Sequence, residues 1–106
     1  MVFQVSAAML DACVLAILEK EDTYGYRLTQ QIKEKLGVSE STLYPVLRRL
    51  QKDNLLETYD VAVAGRNRRY YRLTAAGKMK EIEYRKEWIE FTGRIGAIVN
   101  GGEVNE

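Results

Sequence analysis

The chain has 106 residues, enough for one domain with a modest core, and its charge is nearly balanced at 16 basic against 15 acidic residues. It holds no histidine and a single cysteine, Cys13, which excludes imidazole acid–base chemistry, an intramolecular disulfide and a cysteine-based metal site. No apolar run approaches the roughly 20 residues of a membrane span and Met1-Val2-Phe3-Gln4 carries no charged leader, so the expectation is a soluble, cytoplasmic protein with no membrane association, metal or cofactor.

The balance hides an uneven distribution. Residues 1–26 carry one lysine against Asp11, Glu19, Glu21 and Asp22, a net of −3, whereas residues 27–72 carry ten basic and five acidic residues, a net of +5. Residues 73–106 return to −1. A basic middle third keeps nucleic acid open as a partner despite the overall neutrality.

Ser6 is the expected N-cap of a first helix over Ala7–Lys20. Met9, Leu10, Ala12, Cys13, Val14, Leu15, Ala16, Ile17 and Leu18 make this helix apolar nearly all round, so it is buried on more than one side. A second subunit is the natural source of the extra cover; a central core helix of a monomer is the alternative. Cys13 reads as a small core residue.

Glu21-Asp22-Thr23 interrupts the pattern and offers caps for a second helix running from Tyr24 or Gly25 to Leu36. Its inner stripe is Tyr26 or Leu28, then Ile32 and Leu36, and Gly37 is the expected stop. The third helix buries Leu43, Val46, Leu47 and Leu50, at i, i+3, i+4 and i+7, and turns Ser41, Tyr44, Pro45, Arg48 and Lys52 outward. Its N-cap is Ser39 or Ser41. Pro45 sits most easily in a first turn, which favours a start near Ser41, while a start at Ser39 predicts a slight kink. Asn54 suits the left-handed position after the last turn. Hydroxyls and a tyrosine near the helix start would meet base edges or phosphates in a DNA groove, and the later cations would meet the backbone. A plain amphipathic surface helix has the same pattern.

Leu55–Val63 is rich in β-branched and aromatic residues and reads as a strand, Ala64-Gly65-Arg66-Asn67 as a turn, and Arg68–Leu73 as the returning strand. Arg66, Arg68 and Arg69 crowd the tip, an arrangement that an anion would relieve. Thr74 then caps a long helix from Ala75 to about Asn100, ended by Gly101-Gly102 and followed by a frayed tail, 101–106 in all. In this helix Tyr84, Trp88, Phe91, Ile95 and Ile98 recur at alternating steps of four and three, the spacing of a helix-on-helix seam. Met79, Ile82 and Ile89 form a second stripe. One stripe can lie on the protein's own body, and the other then needs a partner, so the helix is read as a dimerisation element. The architecture expected is mainly α (α+β): a winged helix-turn-helix with a two-stranded wing over 6–73 and a dimerisation helix over 74–100, in one compact domain.

Three motifs make the chain resemble the PadR-type transcriptional regulators: Tyr24-Gly25-Tyr26-Arg27-Leu28, Ser41-Thr42-Leu43-Tyr44-Pro45-Val46-Leu47-Arg48-Arg49-Leu50, and Gly65-Arg66-Asn67-Arg68-Arg69-Tyr70-Tyr71-Arg72-Leu73-Thr74 running into Gly77. The single long helix after the wing resembles the short subfamily, whose members pair through that helix and the first one. Ser41 and Asn54 stand where the family more often has Gly. The resemblance implies a homodimer that binds a palindromic operator in double-stranded DNA, usually as a repressor released by a small ligand. By matched position it assigns Ser41, Thr42, Tyr44 and Arg48 to the recognition helix, beside Lys52, and Arg66, Arg68 and Arg69 to the wing. Trp88 matches a position at the dimer centre where some members stack flat aromatic effectors. Competing readings are a winged-helix protein-interaction module of another family with no ligand response, and an enzyme, for which no acid–base pair or activated nucleophile is present.

Overall fold

The structure, a computed structural model, describes residues 2–101; the expected tail beyond Gly101 lies outside the described residues. The chain runs α1 (Ala7–Lys20), β1 (Thr23–Tyr24), α2 (Gly25–Leu36), α3 (Glu40–Lys52), β2 (Leu56–Val63), β3 (Arg66–Leu73) and α4 (Ala75–Val99). This is the expected winged helix-turn-helix with one long helix appended.

Ser6 caps α1 by accepting from the Met9 amide at 3.2 Å. The helix buries Leu10, Val14, Leu15 and Leu18 together with a charged residue, Asp11. Its Met9–Ala12–Cys13–Ala16 side stays half-buried or exposed, so within one chain α1 is covered on one side only.

Glu21-Asp22-Thr23 does not cap α2. Thr23 and Tyr24 instead form a short strand on the edge of β3, with Thr23 opposite Tyr71 and Tyr24 opposite Tyr70, giving an antiparallel sheet of order β1-β3-β2. The N-cap of α2 is Tyr24, without a side-chain hydrogen bond. Leu28 and Ile32 take the inner positions while Tyr26 is exposed. Gly37, at φ 69°, ends the helix in the left-handed region.

The third helix starts at Ser39, not near Ser41: the Ser39 carbonyl accepts from the amides of Thr42 and Leu43. Pro45 therefore lies in the second turn and cannot donate to the Ser41 carbonyl. Ser41 is exposed, so water can satisfy that carbonyl at little cost. Leu43, Val46, Leu47 and Leu50 are all buried, as the spacing requires, and Asn54 adopts φ 63°.

The hairpin is tighter than expected. Val63 pairs with Arg66, which leaves Ala64-Gly65 as a two-residue turn with φ 50° and 78°, the primed geometry that matches strand twist. Arg66 and Asn67 already belong to β3. Thr74 accepts from the Gly77 amide and donates to the Asn54 carbonyl, fixing the start of α4 against the end of α3.

The helix α4 then leaves the body, and the molecule is 59 Å in its longest dimension. The expectation that one whole apolar stripe lies on the chain's own body holds only at Tyr84. The row that faces the body is Gly77, Glu81 and Tyr84; Trp88, Phe91, Ile95 and Ile98 are exposed, and so are Met79, Ile82 and Ile89.

Candidate nucleic-acid interface

Helix α3 presents Ser41, Thr42, Tyr44, Arg48 and Lys52 to solvent, opposite its four buried aliphatic residues. Ser39 Oγ lies 3.0 Å from Ser41 Oγ and 3.1 Å from Thr42 Oγ1, so the three hydroxyls form one cluster at the helix start. Glu40 accepts from Gln30 Nε2, joining the two helices of the motif across the turn.

The strand period of two divides the wing arginines. Arg69 shares a face with Tyr71 and Asp60, and this face is the one that also carries the buried Leu56 and Leu73 against the body. Arg66 and Arg68 share the opposite face with Tyr70 and Arg72. Arg69 lies 3.5 Å from Asp60, an exposed pair that contributes little to stability. Burial holds the Tyr71 phenol above its usual range, against the opposing pull of the nearby Arg69 and Arg48 charges. Tyr44, Arg48, Tyr71 and Arg69 therefore stand together, where the recognition helix meets the wing.

Arg68 is less free than a residue at a mobile tip. Its guanidinium lies 4.3 Å from the Tyr24 ring centroid, Tyr24 meets Tyr70 at 5.6 Å, and Tyr70 stacks on Tyr59 at 5.6 Å. Arg72 covers Tyr59 at 4.8 Å and donates to Glu57 at 2.8 Å, while the Tyr59 hydroxyl donates to Asp22 at 2.6 Å. That last hydrogen bond is the main reason the Tyr59 phenol is held above its usual range. This ladder pins β1 to the hairpin, and Arg68 is its outermost rung.

A cleft of about 570 Å³ separates α2 and α3 from the wing, lined by Gly25, Tyr26 and Tyr44 on one side and by Arg66, Asn67, Arg69 and Tyr71 on the other. The sequence pattern alone does not mark Asn67, Tyr71 and Tyr26 as site residues, although strand alternation places Asn67 and Tyr71 on the Arg69 face. Arg48 and Lys52, one and two turns beyond Tyr44 on α3, do not line the cleft.

A second concavity, about 420 Å³, lies between α1 and α4. Met9, Ala12 and Cys13 line it from α1, Tyr84 and Trp88 from α4, and Leu36 closes one side. Trp88 is 46 % exposed and tilts against Phe91 with ring centroids 6.1 Å apart. Phe91, Ile95 and Ile98 lie outside this groove, farther along the projecting half of the helix. Among the described residues no cluster of three His, Cys, Asp or Glu side chains could hold a metal ion, and no helix is long and apolar enough to cross a membrane.

A helix-turn-helix packed beside a basic hairpin, with a long helix after it, defines a winged-helix transcriptional regulator. The model of the transcriptional regulator PadR-like family matches residues 14–83, and the chain belongs to that family. A membership this specific removes both the other winged-helix family and the enzyme reading. Protein smu.1704 of Streptococcus mutans UA159 is 40 % identical over the whole of both chains, with a TM-score of 0.89. The PadR-like transcriptional regulator BC4206 of Bacillus cereus strain ATCC 14579 is 32 % identical, over 87 % of this chain and 92 % of that one, with a TM-score of 0.80. PadR of Bacillus subtilis, solved in complex with operator DNA, is 26 % identical over 71 % of this chain and 45 % of that one, with a TM-score of 0.63.

Proposed function

We propose that this chain is a cytoplasmic repressor that binds a palindromic operator in double-stranded DNA as a homodimer and is released by a small aromatic effector. Residues 6–73 are the DNA-binding part and residues 74–100 the dimerisation helix. The observation that carries the reading is the meeting of Tyr44, from the solvent face of a helix whose opposite face is wholly buried, with Arg66, Asn67 and Arg69 of the wing around one cleft; Arg48 stands one turn farther along that face. Ser41, Thr42 and Tyr44 enter the major groove and read or position on base edges, Arg48 and Lys52 neutralise phosphates, and Arg66, Arg68 and Arg69 bring the wing to the adjacent backbone. The operator complex of the Bacillus subtilis relative supports DNA as the partner.

The dimer follows from what one chain leaves uncovered. Trp88, Phe91, Ile95 and Ile98 on α4 are exposed and the outward side of α1 is half-buried or exposed, apolar surface of the kind that marks an interaction site. A second copy related by a two-fold axis covers like with like and presents two recognition helices to the half-sites of a palindrome. The groove beside Trp88 has the apolar walls and the aromatic ring that a flat effector would use.

The test combines sedimentation with a gel shift on DNA from upstream of the protein's own gene. The expected result is a dimer that retards this fragment at concentrations where a scrambled fragment of equal length stays free. A dimer that retards neither at low salt would move the function to protein interaction through α4.

A further inference from the structure

Asp11 is the one acidic residue that α1 buries, at 6 % exposure, and no element of the proposed DNA interface uses it. Its carboxylate receives both ends of a guanidinium: Arg49 Nη1 donates to Oδ2 at 3.2 Å and Nη2 to Oδ1 at 2.5 Å. The Tyr84 hydroxyl also donates to Oδ2, at 3.4 Å. One side chain of α1 thus joins α3, which carries the outward residues Tyr44 and Arg48, to α4.

An ion pair between a buried carboxylate and a guanidinium whose side chain is 44 % exposed adds little net stability, so its value lies in the geometry it specifies. Two parallel contacts fix the plane of the guanidinium as well as its distance. Arg49 is the neighbour of Arg48 on the same helix, so holding Arg49 holds α3 against rotation about its own axis, the motion that would carry Tyr44 and Arg48 away from a groove. Tyr84 lines the groove between α1 and α4, one helical turn before Trp88. Glu81 and Arg85 line the same groove, but they bond to each other at 3.0 Å, which leaves Tyr84 as the groove residue that reaches Asp11.

We infer that Asp11 is a positioning residue, the link through which the state of the α1–α4 groove sets the orientation of the recognition helix. A side chain or ligand that shifts Tyr84 weakens one of the three hydrogen bonds on Asp11, and the freed carboxylate follows Arg49. The DNA consequence rests on the function proposed above; the mechanical link between α4 and α3 does not.

The experiment compares the full-length wild type with Tyr84→Phe, which keeps the ring and removes the hydroxyl. Amide hydrogen exchange is the first readout. Loss of one such hydrogen bond speeds exchange about three- to tenfold in the last two turns of α3, around Arg49, with α2 and the β2–β3 hairpin unchanged. In an Asp11→Ala background, Tyr84→Phe adds nothing. Unchanged exchange in α3, or an equal rise throughout the chain, overturns the link. The second readout is affinity for the upstream DNA fragment, expected to fall about three- to tenfold in Tyr84→Phe with the dimer intact. Faster α3 exchange with unaltered affinity overturns the positioning role. If the wild type binds no DNA, the proposed function fails, and the exchange data still decide the link.

Discussion

A Cβ built on Gly77 would stand 2.0 Å from the carbonyl oxygen of Leu55. That carbonyl already accepts from the Thr74 amide at 3.1 Å, so the backbone on both sides of the contact is fixed. The close approach of α4 to the end of α3 thus depends on the absence of a side chain at this position. Gly77→Ala should force the two segments apart and cost about 1–3 kcal/mol, as overpacking does, despite alanine's better helix propensity. Thermal melts of the variant check this. An unchanged or raised melting temperature would mean that α4 can tilt away without loss.

Much of this fold is legible in the sequence, because its long elements carry strong periodicity. The α3 stripe, the caps Ser6 and Thr74, the stop at Gly37 and the left-handed Asn54 all follow from residue chemistry within a few positions. What is missed depends on partners far along the chain. Thr23-Tyr24 is too short to show a period, and it becomes a strand only because Tyr70 and Tyr71 offer an edge some 47 residues later. Asp11 meets Arg49 at a separation of 38 residues; the one signal was a carboxylate inside an otherwise apolar helix. The division of Arg66 and Arg68 from Arg69 was available from strand alternation, once the turn is confined to Ala64-Gly65.

The recognition face should be separable from the fold. Tyr44→Ala and Arg48→Ala remove exposed side chains opposite the Leu43/Leu47/Leu50 stripe, so each should abolish retardation of the specific DNA fragment and leave the melting temperature nearly unchanged. Leu47→Ala, fully buried, is the contrasting control and should cost about 2–5 kcal/mol. A sharp drop in melting temperature for Tyr44→Ala or Arg48→Ala would assign those side chains to packing.

The seam of α4 should govern assembly. Phe91→Glu with Ile95→Glu places two carboxylates where the proposed partner helix packs, and a charge buried there without a partner costs several kcal/mol. In one chain both positions are exposed, so the monomer fold should survive. Sedimentation of the double variant should show monomers with retained helical circular dichroism. Persisting dimers would place the interface elsewhere.

Acid should weaken the protein in part through Glu81. The hydrogen bonds from Arg85 hold this carboxyl below its ordinary value of 4.5, outweighing the opposing effect of burial. A carboxyl with a depressed folded-state pKa contributes stability that is fully present above the unfolded value and is lost as pH falls through the folded one. Glu81→Gln should therefore lower the melting temperature at neutral pH, and its deficit against wild type should shrink steadily below about pH 4.5. A deficit that stays constant across that window would show that the ion pair does not contribute.

Arg66 should act on DNA through charge alone. It is exposed at the first position of β3, and the wing ion pairs among the described residues belong to Arg69 with Asp60 and Arg72 with Glu57. Arg68, on the same face, is held against Tyr24 and has less reach. A long, untethered cation beside a tight turn suits the phosphate backbone or the minor groove, where the base code is degenerate. Each complete phosphate contact contributes about 0.9 to the slope of log K against log salt, and a symmetric dimer counts every substitution twice. Arg66→Ala should therefore flatten the slope by about 1.8, and Arg68→Ala by less. The ranking of single-base variants of the bound fragment should not change, because no base contact is removed. Salt titrations of wild type and both variants on such a panel make the measurement. An unchanged slope with altered preference at one base pair would show that Arg66 reads sequence, and the wing would then join α3 in direct readout.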